Sequence, residues 1–166
     1  MQDQMIDKFI QAAMDGNLGF IVDQLRAGHD PNSPDQHGWI ALHRAALKNR
    51  VKVIKVLIEH GSSLTALGTD GWMPLHLATV SASLDAVRTL LEAGADTNAQ
   101  SEFGDTPLHL SIISQNPKIV RLLLEGGADP SVKNEKGLTP VEKARNESKT
   151  ALVALMEKPV KRPKSP

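Results

Sequence analysis

Thr106-Pro107-Leu108-His109-Leu110, followed by Leu122-Leu123-Leu124-Glu125-Gly126-Gly127-Ala128-Asp129, opens one helix and closes another. The first phrase sets a hydroxyl residue before a proline, a capping side chain ahead of a residue whose φ is already helical. In the second, an apolar run ends on glycines, which supply the left-handed conformation common just past a helix end. Met73-Pro74-Leu75-His76-Leu77-Ala78 and Leu90-Leu91-Glu92-Ala93-Gly94-Ala95-Asp96 repeat both phrases 33 residues earlier. Gly38, Gly71, Gly104 and Gly137 keep that spacing, as do His43, His76 and His109, and Gly28, Gly61, Gly94 and Gly127. Three residue classes sharing one period mean one structural unit used repeatedly, four to five times in 166 residues.

On these residues the chain resembles the ankyrin-repeat family from about residue 3 to residue 157. The resemblance implies an all-α solenoid of stacked helix-turn-helix units joined by β-hairpin fingers. It divides a domain over 1–157 into an N-terminal capping unit (3–34), repeats at 35–67, 68–100 and 101–133, and a C-terminal capping unit (134–157). The segment 158–166 holds four basic residues, three prolines and no acid, and reads as a disordered tail. Functional readings of that tail are a nuclear-import or anionic-surface patch, or phosphorylation at Ser165-Pro166.

Helical spacing predicts the core. Ile6, Phe9, Ile10 and Ala13 form one stripe, and Phe20, Ile21 and Leu25 a second. Further on, Leu42, Leu75, Leu108 and Val141 recur, with Ile54, Val87, Val120 and Val153, and Leu57, Leu90 and Leu123. Ile40 and Met73 lack the hydroxyl that Thr106 and Thr139 bring to the helix start, a loss of roughly 0.5–2 kcal/mol per helix. Ala82 and Gln115 stand where Gly16 and Asn49 close the first helix, a place suited to positive φ.

Composition narrows the function. With 19 basic and 19 acidic side chains there is no global field to draw the protein to nucleic acid or anionic lipid. Absence of cysteine removes disulfides, thiolate metal sites and cysteine nucleophiles. Met1-Gln2-Asp3-Gln4-Met5-Ile6-Asp7 has neither the basic flank nor the apolar run of a signal peptide, and no window reaches membrane-spanning length. The expectation is a monomeric cytoplasmic protein, with the nucleus as the other compartment, needing no cofactor.

No catalytic constellation emerges, neither a Gly-x-Ser-x-Gly elbow nor a phosphate-cradling glycine loop, so no enzyme is expected. A shared metal on His43, His76 and His109 fails on distance. Stacked helices lie about 8–10 Å apart, whereas zinc-bound nitrogens each sit about 2.0–2.1 Å from the ion. The resemblance implies a structural histidine, bonded to its own unit's threonine and to the next turn. That role passes fully only to His109, whose unit has Thr106. The turn glycines Gly38, Gly71, Gly104 and Gly137 are structural likewise.

The informative residues are those that differ between units. Trp39 and Trp72 each follow a turn glycine and are expected to stack side by side. By resemblance they face a concave groove, with His37, Asp70, Phe103 and Lys136 at the finger tips, and Asp105 and Leu138 beside the tryptophans. Leu47-Lys48, Val80-Ser81 and Ile113-Ser114 complete the surface from the first helices. Three of the five aromatic residues map there, and exposed apolar patches with tryptophan mark binding sites. The expected partner is a protein, held through the first two full units by a scaffold acting as adaptor, assembly factor or inhibitor by occlusion. The other reading is a small molecule between Trp39 and Trp72.

Overall fold

The computed structural model describes residues 2–158, so the expected tail lies outside the described residues but for Lys158. Ten α-helices alternate as first and second members of five pairs: α1 (Gln2–Asp15) with α2 (Leu18–Arg26), α3 (Ala41–Leu47) with α4 (Val51–Glu59), α5 (Pro74–Val80) with α6 (Leu84–Glu92), α7 (Pro107–Ser114) with α8 (Pro117–Glu125), and α9 (Pro140–Asn146) with α10 (Thr150–Met156). First helices neighbour one another in chain order, and so do second helices, giving two layers. Helices of 7 and 9 residues, such as α3 and α4, are too short to persist alone. Stacking holds them. Ile54, Val87 and Val120, like Leu57, Leu90 and Leu123, are fully buried between successive pairs, and each such side chain contributes roughly 1.5–3 kcal/mol. Val141 and Val153, at the end of the stack, are only half-buried.

Polar side chains tie the pairs together. Asn49 Oδ1 accepts the Ala86 N–H of the next unit at 2.8 Å, and Arg50 Nε donates to the Met14 carbonyl of the previous one at 2.9 Å. Asn32 and Asn98 each bridge forward: their Oδ1 atoms accept the Ser63 and Asp129 N–H, both at 2.7 Å, while their Nδ2 groups donate to the Gly61 and Gly127 carbonyls.

The first-helix ends behave as the spacing predicts, with φ of 58° at Ala82 and 49° at Gln115. An L-residue there costs about 1–2 kcal/mol, and glycine's greater freedom in the unfolded chain offsets about 0.4–1 of it. Ala82→Gly is therefore expected to raise the melting temperature by about 1–3 °C. Calorimetry decides it, and a lowered temperature would contradict the left-handed geometry.

Thr79 is fully buried on α5, and its hydroxyl has no hydrogen-bond partner. Its repeat neighbours, Ala46 and Ile112, are apolar and fully buried. An unmet buried hydroxyl costs about 1–3 kcal/mol, so Thr79→Val, of nearly the same shape, is expected to stabilise the fold by about 1 kcal/mol in urea titration.

Fingers connect the pairs without forming strands among the described residues. The first is closed by Gly38 N–H on the Asp35 carbonyl (3.0 Å) and Asp35 N–H on the Trp39 carbonyl (2.9 Å); the others repeat the pattern. A turn with one flanking bond is too short to build a ladder. The expected β-hairpins are thus tight turns, each glycine taking the positive φ at its tip, 79° at Gly38.

Candidate functional site

Three histidines hold the fingers in place. Nδ1 of His43, His76 and His109 accepts the backbone N–H of Ile40, Met73 and Thr106 at 3.1–3.2 Å. That fixes the proton on Nε2, which donates forward at 3.0 Å: from His43 to the carbonyls of Ala66 and Trp72, from His76 to Ala99, from His109 to Leu138. Each ring thus joins its helix start to the base of the next finger. Both nitrogens are in use.

One part of this network departs from the sequence expectation. The Thr106 hydroxyl makes no backbone cap; it bonds His109 Nδ1 at 2.9 Å. Capping of the first N–H falls to histidine in all three units, so Ile40 and Met73 forgo only the hydroxyl-to-ring bond. The last unit does carry a reciprocal cap: Thr139 Oγ1 accepts the Glu142 N–H (3.2 Å), and Glu142 Oε2 accepts the Thr139 N–H (2.8 Å). Those Thr139 bonds hold the Glu142 carboxyl below its ordinary pKa.

The tryptophans do not pair as rings. Trp39 stands edge-on to His43, with centroids 5.0 Å apart, and the Arg44 guanidinium lies 5.4 Å from the indole centroid. Arg44 in turn reaches Asp35 at 3.5 Å. The benzo ring also rests on Gly68, where an added Cβ would lie 2.2 Å from Cε3. Trp39 is therefore a packing element between the first two fingers, half-buried as Trp72 is. One period on, the equivalent pair is Trp72 with Ser101; after that it is Asp105 with Asn134, joined by a 2.8 Å hydrogen bond. The first and third junctions thus fill the same gap differently.

The second finger pays for Gly68 in geometry. Asp35 and Asn134, at the same position of other fingers, each accept two N–H groups from their own turn. Glycine has no such acceptor, and here the turn is a short 3₁₀ segment with Asp70 at φ 60°. Later fingers bond tip to tip, Glu102 N–H to the Asp70 carbonyl and Glu135 N–H to the Phe103 carbonyl, both 3.0 Å. Between the first two, only Thr69 Oγ1 reaches the His37 carbonyl, at 3.3 Å.

Of the residues expected to face the groove, Phe103 and Ile113 are 54% and 52% exposed, while Leu47 and Val80 are half-buried. His37, Lys48, Asp70 and Lys136 are exposed. Asp105, expected at a selective rim, is instead half-buried and engaged internally by Asn134 and by Lys143 at 3.4 Å. A hollow of about 470 Å³ opens beside it, lined by Phe103, Leu138, Lys143, Asn146 and Glu147 among others. It joins a finger tip, the next finger's base and the end of α9. Of the apolar residues expected at the partner face, Phe103 and Ile113 of the third full repeat are the most open, beside the C-terminal capping unit.

Family models for ankyrin repeats match the chain over residues 9–101 (three copies) and 84–144 (many copies). The chain belongs to the ankyrin-repeat family. Ankyrin repeats are protein-interaction modules, typically without enzymatic activity. Among similar ankyrin-repeat proteins, the mouse "RelA-associated inhibitor" is 47% identical over 47 residues, 28% of this chain and 6% of that protein. Human "Ankyrin repeat domain-containing protein 39" is 34% identical over 55 residues, 33% of this chain and 30% of that protein. The matched segments thus span less than a third of either relative's length.

Two features of this ankyrin-repeat domain escaped the sequence reading. Leu67, 57% exposed just before the second finger, adds apolar surface that no periodic pattern flags. The Asn32 and Asn98 bridges were legible in principle, since those residues stand two periods apart.

Proposed function

We propose that the chain is a non-enzymatic binding protein that takes a partner protein across its finger-and-groove face, acting by occlusion or bridging as inhibitor, assembly factor or adaptor. The observation that carries this reading is the pair of large apolar side chains, Phe103 and Ile113, left more than half exposed on a scaffold whose fingers are fixed from below by histidine. A preorganised surface loses little ordering entropy on binding. The mouse relative's name, an inhibitor associated with RelA, agrees with occlusion. Trp39 serves the reading indirectly, by holding the first two fingers through Gly68.

Affinity capture tests the proposal with wild type beside Phe103→Ala/Ile113→Ala, a pair chosen because both side chains are exposed and their loss leaves the core intact. The double variant is expected to lose its partners by about tenfold or more in affinity. Equal capture by both folded forms would sink the groove reading. Deleting 158–166 separates the roles: an adaptor using the tail loses one partner, and an inhibitor keeps full potency.

A further inference from the structure

We propose that the partner segment is an amphipathic α-helix lying along the solenoid, across the first helices. This rests on the reading above and adds the shape and polarity of the occupant. Met14, Leu47, Val80 and Ile113 hold one position in successive units, on α1, α3, α5 and α7, which neighbour each other in that order. All four are half-buried or exposed. In the next unit the position is Asn146, which lines the hollow together with Phe103 and Leu138, so at that end the row and the fingers meet.

The pitch of that row selects its occupant. Packed helices lie about 8–10 Å apart. In an α-helix, residues seven apart are separated by about 10.5 Å and drift by only about 20°. Four footholds therefore match about 22 residues with one apolar side chain per heptad. A β-strand returns a side chain to the same face about every 6.5–7 Å and falls out of step. A polyproline helix, at about 9.3 Å per turn, keeps step, but its backbone has no internal hydrogen bonds and must find donors. The floor offers few. Ser81 and Ser114, next along from Val80 and Ile113, already donate their hydroxyls to the carbonyls of Leu77 (2.7 Å) and Ser111 (2.9 Å). An α-helix arrives with its backbone bonds already made.

Charge gives the helix a direction. Lys48 stands beside Leu47, while Asp70 and Glu102 lie exposed on the second and third fingers, and on the fourth Glu135 is offset by its neighbour Lys136; Lys48, Asp70 and Glu102 are in no ion pair among the described residues. The complementary helix carries acids at its α3 end and bases opposite the second and third fingers, with one bulky apolar residue seated in the hollow.

Two displayed peptide libraries of about 22 residues, panned against the full chain, test this. One has a helix-favouring Ala/Glu/Lys background, and the other a proline at every third position. Binders are expected from the helical library, with apolar residues seven apart, acids at one end and bases at the other. A proline placed mid-peptide, and a Val80→Lys/Ile113→Lys protein that keeps its helical circular dichroism, should each weaken binding by about tenfold or more. Binders from the proline library alone that the double variant loses, or helical binders without the seven-residue spacing, overturn the helix and leave the face standing. Binders indifferent to the variant, or none from either library, overturn both.

Discussion

Urea stability of this protein is expected to fall steeply as pH drops from about 6.5 to about 4, a fall that begins well above the range in which carboxylates protonate. His43 is fully buried, and desolvation of its charged form is the largest cause lowering its pKa from 6.5 to about 4; the bonds to Trp72 and Ala66 only partly oppose this. The sign follows from proton uptake. Above about 6.5 neither state binds the proton, and the stability from the neutral ring is fully present. Below that, the unfolded chain takes up a proton that the native state refuses, until His43 itself protonates near 4. At about 1.4 kcal/mol per unit, His43 alone contributes a loss on the order of 3 kcal/mol.

His76 and His109 are lowered too, in both cases chiefly by desolvation, so their losses add with the same sign. Against the roughly 5–15 kcal/mol that holds a typical domain together, this decides whether the fold survives mild acid. Urea midpoints at pH 7, 5.5 and 4.5 measure it, and midpoints unchanged between 7 and 5 would mean the rings protonate freely in the folded protein. Asp129 and Glu142, held below their usual values by hydrogen bonds from Ser131 and Thr139, add their own losses only at lower pH.

Gly68→Ala is expected to destabilise the solenoid, although it adds a single methyl group. The new methyl would lie 2.2–2.7 Å from three atoms of the Trp39 ring, closer than real contacts allow. Trp39 must then leave its place between the first two fingers, giving up the edge contact with His43 and the Arg44 cation above it. Overpacking of this kind costs about 1–3 kcal/mol, a fall in melting temperature of about 2–12 °C, with red-shifted tryptophan emission as the indole reaches water. The third junction supplies the rescue. There Asp105 and Asn134 occupy the equivalent positions and hydrogen-bond at 2.8 Å, so Trp39→Asp/Gly68→Asn is expected to be more stable than the sum of its single changes by about 1 kcal/mol. Wild-type melting and unshifted emission in Gly68→Ala would refute the packing.

Periodic residues were legible because each does the same work in every unit. A glycine at positive φ and a histidine bonded on both nitrogens leave the same letter at the same interval. Ala82 and Gln115 were readable for the same reason, as exceptions at a position whose backbone is fixed. The pairing of Trp39 with Gly68 was not, because its partners are 29 residues apart, a spacing that no repeat alignment compares. The expected indole stack failed on that account: equivalent positions need not touch, and Trp39 instead rests on Gly68 in front of it. Thr106 misled in a similar way, its hydroxyl having a choice between backbone and ring that local sequence does not resolve.

The sequence by itself determined the ankyrin-repeat solenoid, its turns and its core, because a 33-residue period admits one stacked arrangement of short amphipathic helices. Only the tertiary structure decided which apolar side chains remain open. Trp39 is occupied by its neighbours and Asp105 by Asn134 and Lys143, whereas Phe103 and Ile113 are left free. Exposure is set by what the adjoining unit places against a side chain, and that depends on contacts across the stack.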